Sequence, residues 1–145
     1  MSITEIDDPL FGRLVWYPRD RFYGGKMLLG GDQEILVSID PEESSIDELL
    51  PQARRAMTWV LQNDERIRQL AAEQLTENYN RYCRDEEEDP EPISPAEFAR
   101  RIQLKTFWFY PDGLARLGYD DSDMFGGHTI YIKCNPDSGW MEVEK

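Results

Sequence analysis

The sequence has few of the side chains that bind transition metals or act as catalytic nucleophiles. Its 145 residues include one histidine, His128, and two cysteines, Cys83 and Cys134. A structural zinc site usually takes four Cys or His ligands, so three such residues argue against one. Because two widely separated thiols in a chain without a secretion signal are normally reduced, we also expect no disulfide bond.

Long apolar runs and glycine-rich phosphate loops are missing as well. No stretch approaches the roughly 20 apolar residues of a membrane-spanning helix. The start MSITEIDDPLFG lacks the basic and apolar regions of a signal peptide, so we expect a cytoplasmic protein. The stretch Gly24-Gly25-Lys26-Met27 lacks the upstream glycine and the following Ser or Thr of a phosphate-binding loop. Neither a dinucleotide-binding fingerprint nor a nucleophile elbow occurs, and we therefore expect no cofactor.

Basic residues are scarce: 16 lysines and arginines stand against 29 acidic residues, which gives a net charge of −13. Binding to phosphates requires clustered cations, so we expect neither nucleic acid nor an anionic membrane as a partner. What remains is a globular composition, with 40% hydrophobic and 12% aromatic residues. A chain of this length usually folds as one unit, and we expect a single domain over residues 1–145.

Hydrophobic patterning predicts strands at both ends of the chain and helices between them. Proline beyond a first helical turn removes a hydrogen bond, so we expect the first long helix to begin near Pro51. A second helix, capped by Asn63 or Asp64, should follow it, although one long bent helix is the alternative. Ser94-Pro95-Ala96-Glu97 combines a cap, a proline at the first position and a glutamate, which predicts a short helix over 95–102.

The strands are expected in two groups that flank these helices, and residues 1–8 are expected to be frayed. The element order predicts an α+β fold in which an antiparallel β-meander, two to three helices and a second antiparallel meander follow one another. The two meanders would form one sheet or a sandwich, with the helices packed on one side. The expected strands are 10–17, 22–29, 33–40, 104–110, 114–119, 128–134 and 140–144.

Three stretches carry a family resemblance: AAEQLTENYN (71–80), ISPAEFARRIQLKTFWFYPDG (93–113) and YDDSDMFGGHTIYI (119–132). From about residue 67 onward the chain resembles a bacterial family named domain of unknown function 2262, and the N-terminal meander resembles it more loosely. The family often has a bulky residue where this chain has Gly126. The resemblance implies an α+β fold and no particular activity. Related small acidic domains occur beside polymorphic toxins as immunity proteins, which is an analogy at the level of the fold.

Two segments concentrate the negative charge. Residues 85–92 (DEEEDPEP) hold six carboxylates and two prolines, which predicts an exposed acidic loop. A second acidic segment precedes His128. Clustered carboxylates on a surface accelerate association with a cationic protein. The residues expected to bind a partner are Asp85, Glu86, Glu87, Glu88, Asp89, Asp120, Asp121 and Asp123.

These segments favour a non-enzymatic protein-binding domain, most concretely an immunity or antitoxin-type inhibitor that occludes a basic bacterial effector. Tyr82 or Trp140 could serve as an aromatic anchor. The first alternative is a metal-binding or hydrolytic domain that uses Asp121, Asp123 and His128. Their spacing matches no EF-hand, and aspartates in such loops more often bond their own backbone. The second alternative is an accessory domain, homo-oligomeric or not, whose acidity only keeps it in solution.

Overall fold

The computed structural model describes residues 4–30 and 32–144. Eight strands, three α-helices and one π-helical turn, Tyr79–Cys83, make up the fold. The strands before the helices are β1 (Glu5–Asp8), β2 (Gly12–Tyr17), β3 (Phe22–Leu29) and β4 (Gln33–Ile39). The helices are α1 (Ile46–Gln62), α2 (Asp64–Asn78) and α3 (Pro95–Arg101). The strands after them are β5 (Gln103–Phe109), β6 (Ala115–Asp120), β7 (Ile130–Asn135) and β8 (Trp140–Val143).

All eight strands form one sheet in which every strand pairs with its neighbours in sequence. The pairs are antiparallel except for β4 and β5, which run parallel with Leu36 opposite Thr106 and Ile39 opposite Phe109. Parallel strands need a long crossover, and the three helices supply it between β4 and β5. The α+β prediction of two meanders around a helical segment is confirmed, and the two meanders form one mixed sheet.

The helices and one side of the sheet share a single hydrophobic core. Along β4, Ile35, Val37 and Ile39 are buried in this core together with Leu49 and Met57 of α1. Side chains alternate along a strand, so Leu28 and Leu36 project from the other side of the sheet and are exposed. We call that other side the open face. Strand β5 lies in the middle of the sheet, as its apolar sequence predicts.

The start of the described chain is more ordered than the sequence predicts. Residues 5–8 form β1 and pair with β2, so the expectation of a frayed segment over 1–8 is wrong there; residues 1–3 lie outside the described part. The buried Asp8 explains the order, because it accepts the N–H groups of Leu10 and Phe11 and the Nε of Arg54 at 2.8 Å. Burial raises the pKa of Asp8, but these hydrogen bonds outweigh burial and hold it below its usual value.

Helix α1 begins at Ile46 and not near Pro51. The hydroxyl of Ser45 accepts the N–H of Asp47, and Leu49 and Leu50 are buried in the core. Pro51 removes only one hydrogen bond of the second turn, which these contacts offset. The other two helix starts are confirmed, since α2 begins at Asp64 and α3 begins at Pro95 under a Ser94 cap.

Gly118 in β6 is a position where the open face has no room for a larger residue. A Cβ atom there would collide with Oγ1 of Thr106 and lie 3.1 Å from Cγ2 of Thr129. We expect G118A to lower the free energy of unfolding by about 1–3 kcal/mol, measured in urea, because overpacking forces neighbours out of place. When G118A is made in a chain that already carries T106A, it should lower the free energy of unfolding much less than it does in wild type. A G118A variant as stable as wild type would contradict this packing.

Candidate functional site

The first acidic loop follows the π-helical turn and presents four consecutive exposed carboxylates, Asp85 to Glu88. Asp85 organises the loop: its Oδ1 accepts the N–H of Glu87 at 2.9 Å, and its carbonyl accepts the N–H of Asp89 at 2.7 Å. Aspartate commonly forms turns of this kind by bonding its own backbone. The exposed carboxylates therefore stand on a defined turn.

Asp89 ends this run but is buried, with 7% of its surface exposed. Arg101 donates to both of its oxygens, Nη1 to Oδ2 at 2.8 Å and Nη2 to Oδ1 at 2.7 Å, and the hydroxyl of Tyr79 donates to Oδ2. The expectation of an exposed loop over 85–92 is wrong at Asp89, whose carboxylate is enclosed by these donors. A planar guanidinium that satisfies both carboxylate oxygens makes burial of the charge tolerable.

These contacts fix the protonation states of the cluster. The hydrogen bonds from Arg101 and then from Tyr79 hold the pKa of Asp89 well below its usual range. Burial and the hydrogen bond to Asp89 raise the pKa of Tyr79, so its hydroxyl stays protonated as a donor. Arg84 adds two bonds to the loop backbone, to the carbonyls of Asp89 at 2.8 Å and Pro90 at 2.9 Å. We call Tyr79, Arg84, Asp89 and Arg101 the Asp89 clamp.

The second acidic loop connects β6 to β7 and is built around Asp121. This side chain is fully buried and accepts the N–H groups of Asp123, Phe125 and His128 at 2.9 to 3.0 Å. Gly126 and Gly127 have positive φ angles of 77° and 86°, which turn the chain back toward Asp121. The expectation of turn chemistry is confirmed. Asp121, which the sequence predicted to bind a partner, is buried with its oxygens occupied inside the loop.

Asp120, the last residue of β6, and Asp123 of this loop are both exposed. The two acidic loops meet at the end of α3, because Ser122 donates its hydroxyl to the carbonyl of Arg101 at 2.6 Å while the Arg101 guanidinium holds Asp89. The ring of Phe125 packs against Tyr79 at a centroid distance of 6.0 Å. One arginine thus joins the two segments that the sequence singled out. We call their exposed carboxylates the acidic surface: Asp85, Glu86, Glu87, Glu88, Asp120 and Asp123.

Sequence reasoning assigned no role to Arg101, Arg84 or Tyr79. One signal was available, since Arg100 and Arg101 are adjacent cations that follow the acidic run within a short helix. The two arginines differ in the structure: Arg100 is exposed and pairs with Glu97, whereas Arg101 turns inward to Asp89. Only the three-dimensional arrangement separates the two.

The metal-binding or hydrolytic alternative requires Asp121, Asp123 and His128 to face a common site, and their side chains do not. His128 is exposed and takes part through its backbone N–H, and Asp121 faces three N–H groups. Within residues 4–30 and 32–144, no group of three or more His, Cys, Asp or Glu residues is placed to hold a metal ion. Burial raises the pKa of the Cys134 thiol to about 12, which leaves it inert near neutral pH.

The two aromatic residues proposed as anchors are both exposed but lie on different elements. Tyr82, in the π-helical turn, adjoins the first acidic loop, whereas Trp140 begins the edge strand β8. A further buried polar contact, the Tyr119 hydroxyl donating to Asp64 at 2.6 Å, ties β6 to the start of α2. Burial, together with the charge of Asp64, raises the pKa of Tyr119, so this phenol acts as a structural donor.

None of the helices in the described part of the chain combines the length and apolar character needed to cross a bilayer. No curated protein and no solved structure gives a significant match to the sequence. A family model described as "uncharacterized protein conserved in bacteria" (DUF2262) matches residues 8–144, which includes the N-terminal meander as well as the helices and the second meander. The chain belongs to this bacterial family of unknown function.

Proposed function

We propose that this chain is a non-enzymatic protein-binding domain whose acidic surface recognises a basic partner, most concretely as an immunity or antitoxin-type inhibitor of a cationic bacterial effector. The observation that carries the proposal is the Asp89 clamp. It holds a turn on which the four preceding carboxylates are all exposed. A solvated charge run that only aids solubility needs no such support.

Within residues 4–30 and 32–144, the exposed carboxylates of the first loop have no cationic partner of their own. Among the described residues, none of Asp85 to Glu88 forms an ion pair, although Arg81 and Arg100 nearby are each paired with other glutamates. Like charges held close together repel, and a cation from another molecule relieves that repulsion. Because the turn is ordered before binding, little conformational entropy is lost when such a partner docks.

Occlusion is the mechanism that these features favour. An effector that handles an anionic substrate must expose a cationic surface, and a fixed acidic surface of complementary charge can cover it. The net charge of −13 attracts such a partner over a long range, which raises the association rate at low salt. Fast capture is what an inhibitor needs when it has to act before its effector does damage.

The test compares two variants that lose the same four charges. The loop variant D85N/E86Q/E87Q/E88Q keeps an Asn oxygen to accept the N–H of Glu87. The control variant D32N/E34Q/E43Q/E73Q changes four exposed carboxylates outside both acidic loops. Each tagged chain is used to capture proteins from the native bacterium at low salt, and retained proteins are identified by mass spectrometry. We expect a basic protein to be retained by wild type and by the control variant but not by the loop variant.

Binding kinetics with the retained protein give the second readout. We expect its association rate to fall about tenfold or more in the loop variant, and to fall steeply for wild type between low and about 0.5 M salt, while dissociation changes little. Equal retention by the loop variant, or an association rate that ignores salt, contradicts the proposal. Recovery of no basic protein under these conditions also counts against it.

A further inference from the structure

Exposed hydrophobic side chains concentrate on the open face of the sheet. Among the described residues, five large hydrophobic side chains are exposed, and strand alternation puts four of them on this face; Tyr82 is the exception. Leu28 is 62% exposed and Leu36 is 49% exposed. A contiguous apolar patch on one side of a protein usually marks an interaction site. The other two side chains are Tyr17 and Trp140.

A ladder of aromatic rings runs across the same face. Tyr17 stacks on Phe22 at 5.1 Å, Phe22 packs on Trp108 at 5.3 Å, and Trp108 stacks on Tyr110 at 6.2 Å between ring centroids. Phe22 and Trp108 belong to β3 and β5. Level with Trp108, the two neighbouring strands carry only Ser38 and Gly24, and the Phe22 ring lies over Gly24. Rigid, mutually packed aromatic side chains are the residues that dominate the centres of protein interfaces.

The neutral centre of this patch is narrow, because Lys26 lies opposite Leu36 and Arg116 lies opposite Trp108. In the middle strands β4 and β5, the paired open-face residues are uncharged: Leu36 lies opposite Thr106 and Ser38 lies opposite Trp108. Apart from the bulge residue Lys105, alternation places four cations and five carboxylates on the open face of the eight strands, and Glu144, just after β8, pairs there with Arg116 and Lys133. This small excess contrasts with the net charge of −13 for the chain. The cations are Arg13, Lys26, Arg116 and Lys133, and the carboxylates are Glu5, Asp7, Glu34, Asp120 and Glu142.

We propose that the open face docks a second copy of this chain, face to face, to give a twofold-symmetric dimer. Two molecules that each carry −13 repel one another, and the open face is a surface on which this charge is nearly balanced. In a twofold interface each side is its own complement, so a neutral centre flanked by both signs can pair with itself. The first acidic loop is attached to helices that pack on the opposite side of the sheet, so it stays free in the dimer, whereas Asp120 of the acidic surface lies on the open face.

The size of the face is sufficient for such an interface. Eight strands spaced about 4.8 Å apart, and on average about 20 Å long, give a surface of roughly 34 by 20 Å, or about 700 Å². Two such faces would bury about 1,400 Å² together, and stable interfaces bury about 1,200–2,000 Å² in total. Two twisted sheets pack in this way about 10 Å apart with side chains interdigitating, as in a β-sandwich. The dimerisation proposal does not depend on the proposed function.

Sedimentation velocity of the full chain between about 1 and 100 μM tests the proposal. Wild type should form a concentration-dependent dimer that persists at about 0.5 M salt, because its centre is apolar. L36K places a charge at the neutral centre and should raise the dimer dissociation constant at least tenfold. The matched variant Y82K changes the exposed aromatic residue outside the open face and should leave the dimer unchanged.

Circular dichroism and thermal unfolding confirm that both variants fold, as expected for substitutions at exposed positions. A wild-type chain that stays monomeric at 100 μM overturns the proposal, and so does an L36K dimer as tight as wild type. A monomer whose aromatic ladder instead binds a fluorescent single-stranded oligonucleotide overturns it too. Persistence of the dimer at high salt separates this contact from the salt-sensitive binding expected at the acidic surface.

Discussion

Replacing Asp89 with alanine is expected to lower the free energy of unfolding by about 3–5 kcal/mol, measured by urea denaturation at neutral pH. The substitution removes the acceptor of two Arg101 hydrogen bonds and of the Tyr79 hydroxyl, and all three groups are largely enclosed. Leaving the enclosed Arg101 charge without a carboxylate costs more free energy than the intact ion pair contributes to stability. The clamp would open, and the first acidic loop would lose its anchor.

The neighbouring residue Glu88 provides the control, because it is exposed and has no ion-pair partner among the described residues. E88A should change stability by no more than about 0.5 kcal/mol. D89N keeps one carbonyl oxygen for Arg101, so its loss of unfolding free energy should lie between the losses for E88A and D89A. If D89A is as stable as E88A, the cluster does not hold the loop, and the proposed function loses its main support.

The same variant gives a pH dependence with a defined sign. The pKa of Asp89 is depressed in the folded protein, so its contribution to stability is complete above the pKa of the unfolded chain and is lost as the pH falls toward the folded value. The difference in unfolding free energy between wild type and D89A should therefore be constant above about pH 5 and shrink steadily below about pH 4. A difference that grows on acidification contradicts this assignment.

Features that depend on neighbouring residues were predictable from the sequence. The cap at Ser94 and the proline at the first position of α3 follow from interactions within one helical turn. The start of α2 at Asp64 was predicted from residue type, although Asn63 makes no side-chain cap hydrogen bond. The strands of both meanders other than β1 were predictable for the same reason, because alternation and turn residues are local signals. Element order then restricted the architecture to two meanders around a helical crossover.

Features that depend on distant residues were not predictable. Asp85 and Asp89 share a residue type and lie in one acidic run, yet the first is exposed and the second is buried by Arg101, which lies 12 residues away. The sequence cannot indicate that Arg101 turns inward while Arg100 does not. Asp8 is a similar case, since its partner Arg54 lies 46 residues away in the sequence. From the local sequence alone, the polar segment that forms β1 is predicted to be frayed.

The turn chemistry of Asp121 was predictable from the sequence, but its complete burial was not. Replacing Asp121 should give the second large loss of stability that we expect. D121A should lower the free energy of unfolding by about 3 kcal/mol in urea, because three backbone N–H groups lose a buried carboxylate acceptor. D121N should cost nearly as much, about 2 kcal/mol, since its amide group would face donors where the second oxygen now accepts two bonds. Amide exchange at Asp123, Phe125 and His128 should accelerate in both variants.

D123N is the matched control, because Asp123 is exposed and asparagine tolerates its φ angle of 63°. The free energy of unfolding of D123N should lie within about 0.5 kcal/mol of the wild-type value. Because Ser122 bonds the carbonyl of Arg101 while the guanidinium holds Asp89, D89A and D121A should not be additive. A double-mutant cycle should give a coupling energy of at least about 0.5 kcal/mol. If the effects of D89A and D121A on the free energy of unfolding simply add, the two loops are anchored independently. The residues of the acidic surface would then form two separate groups.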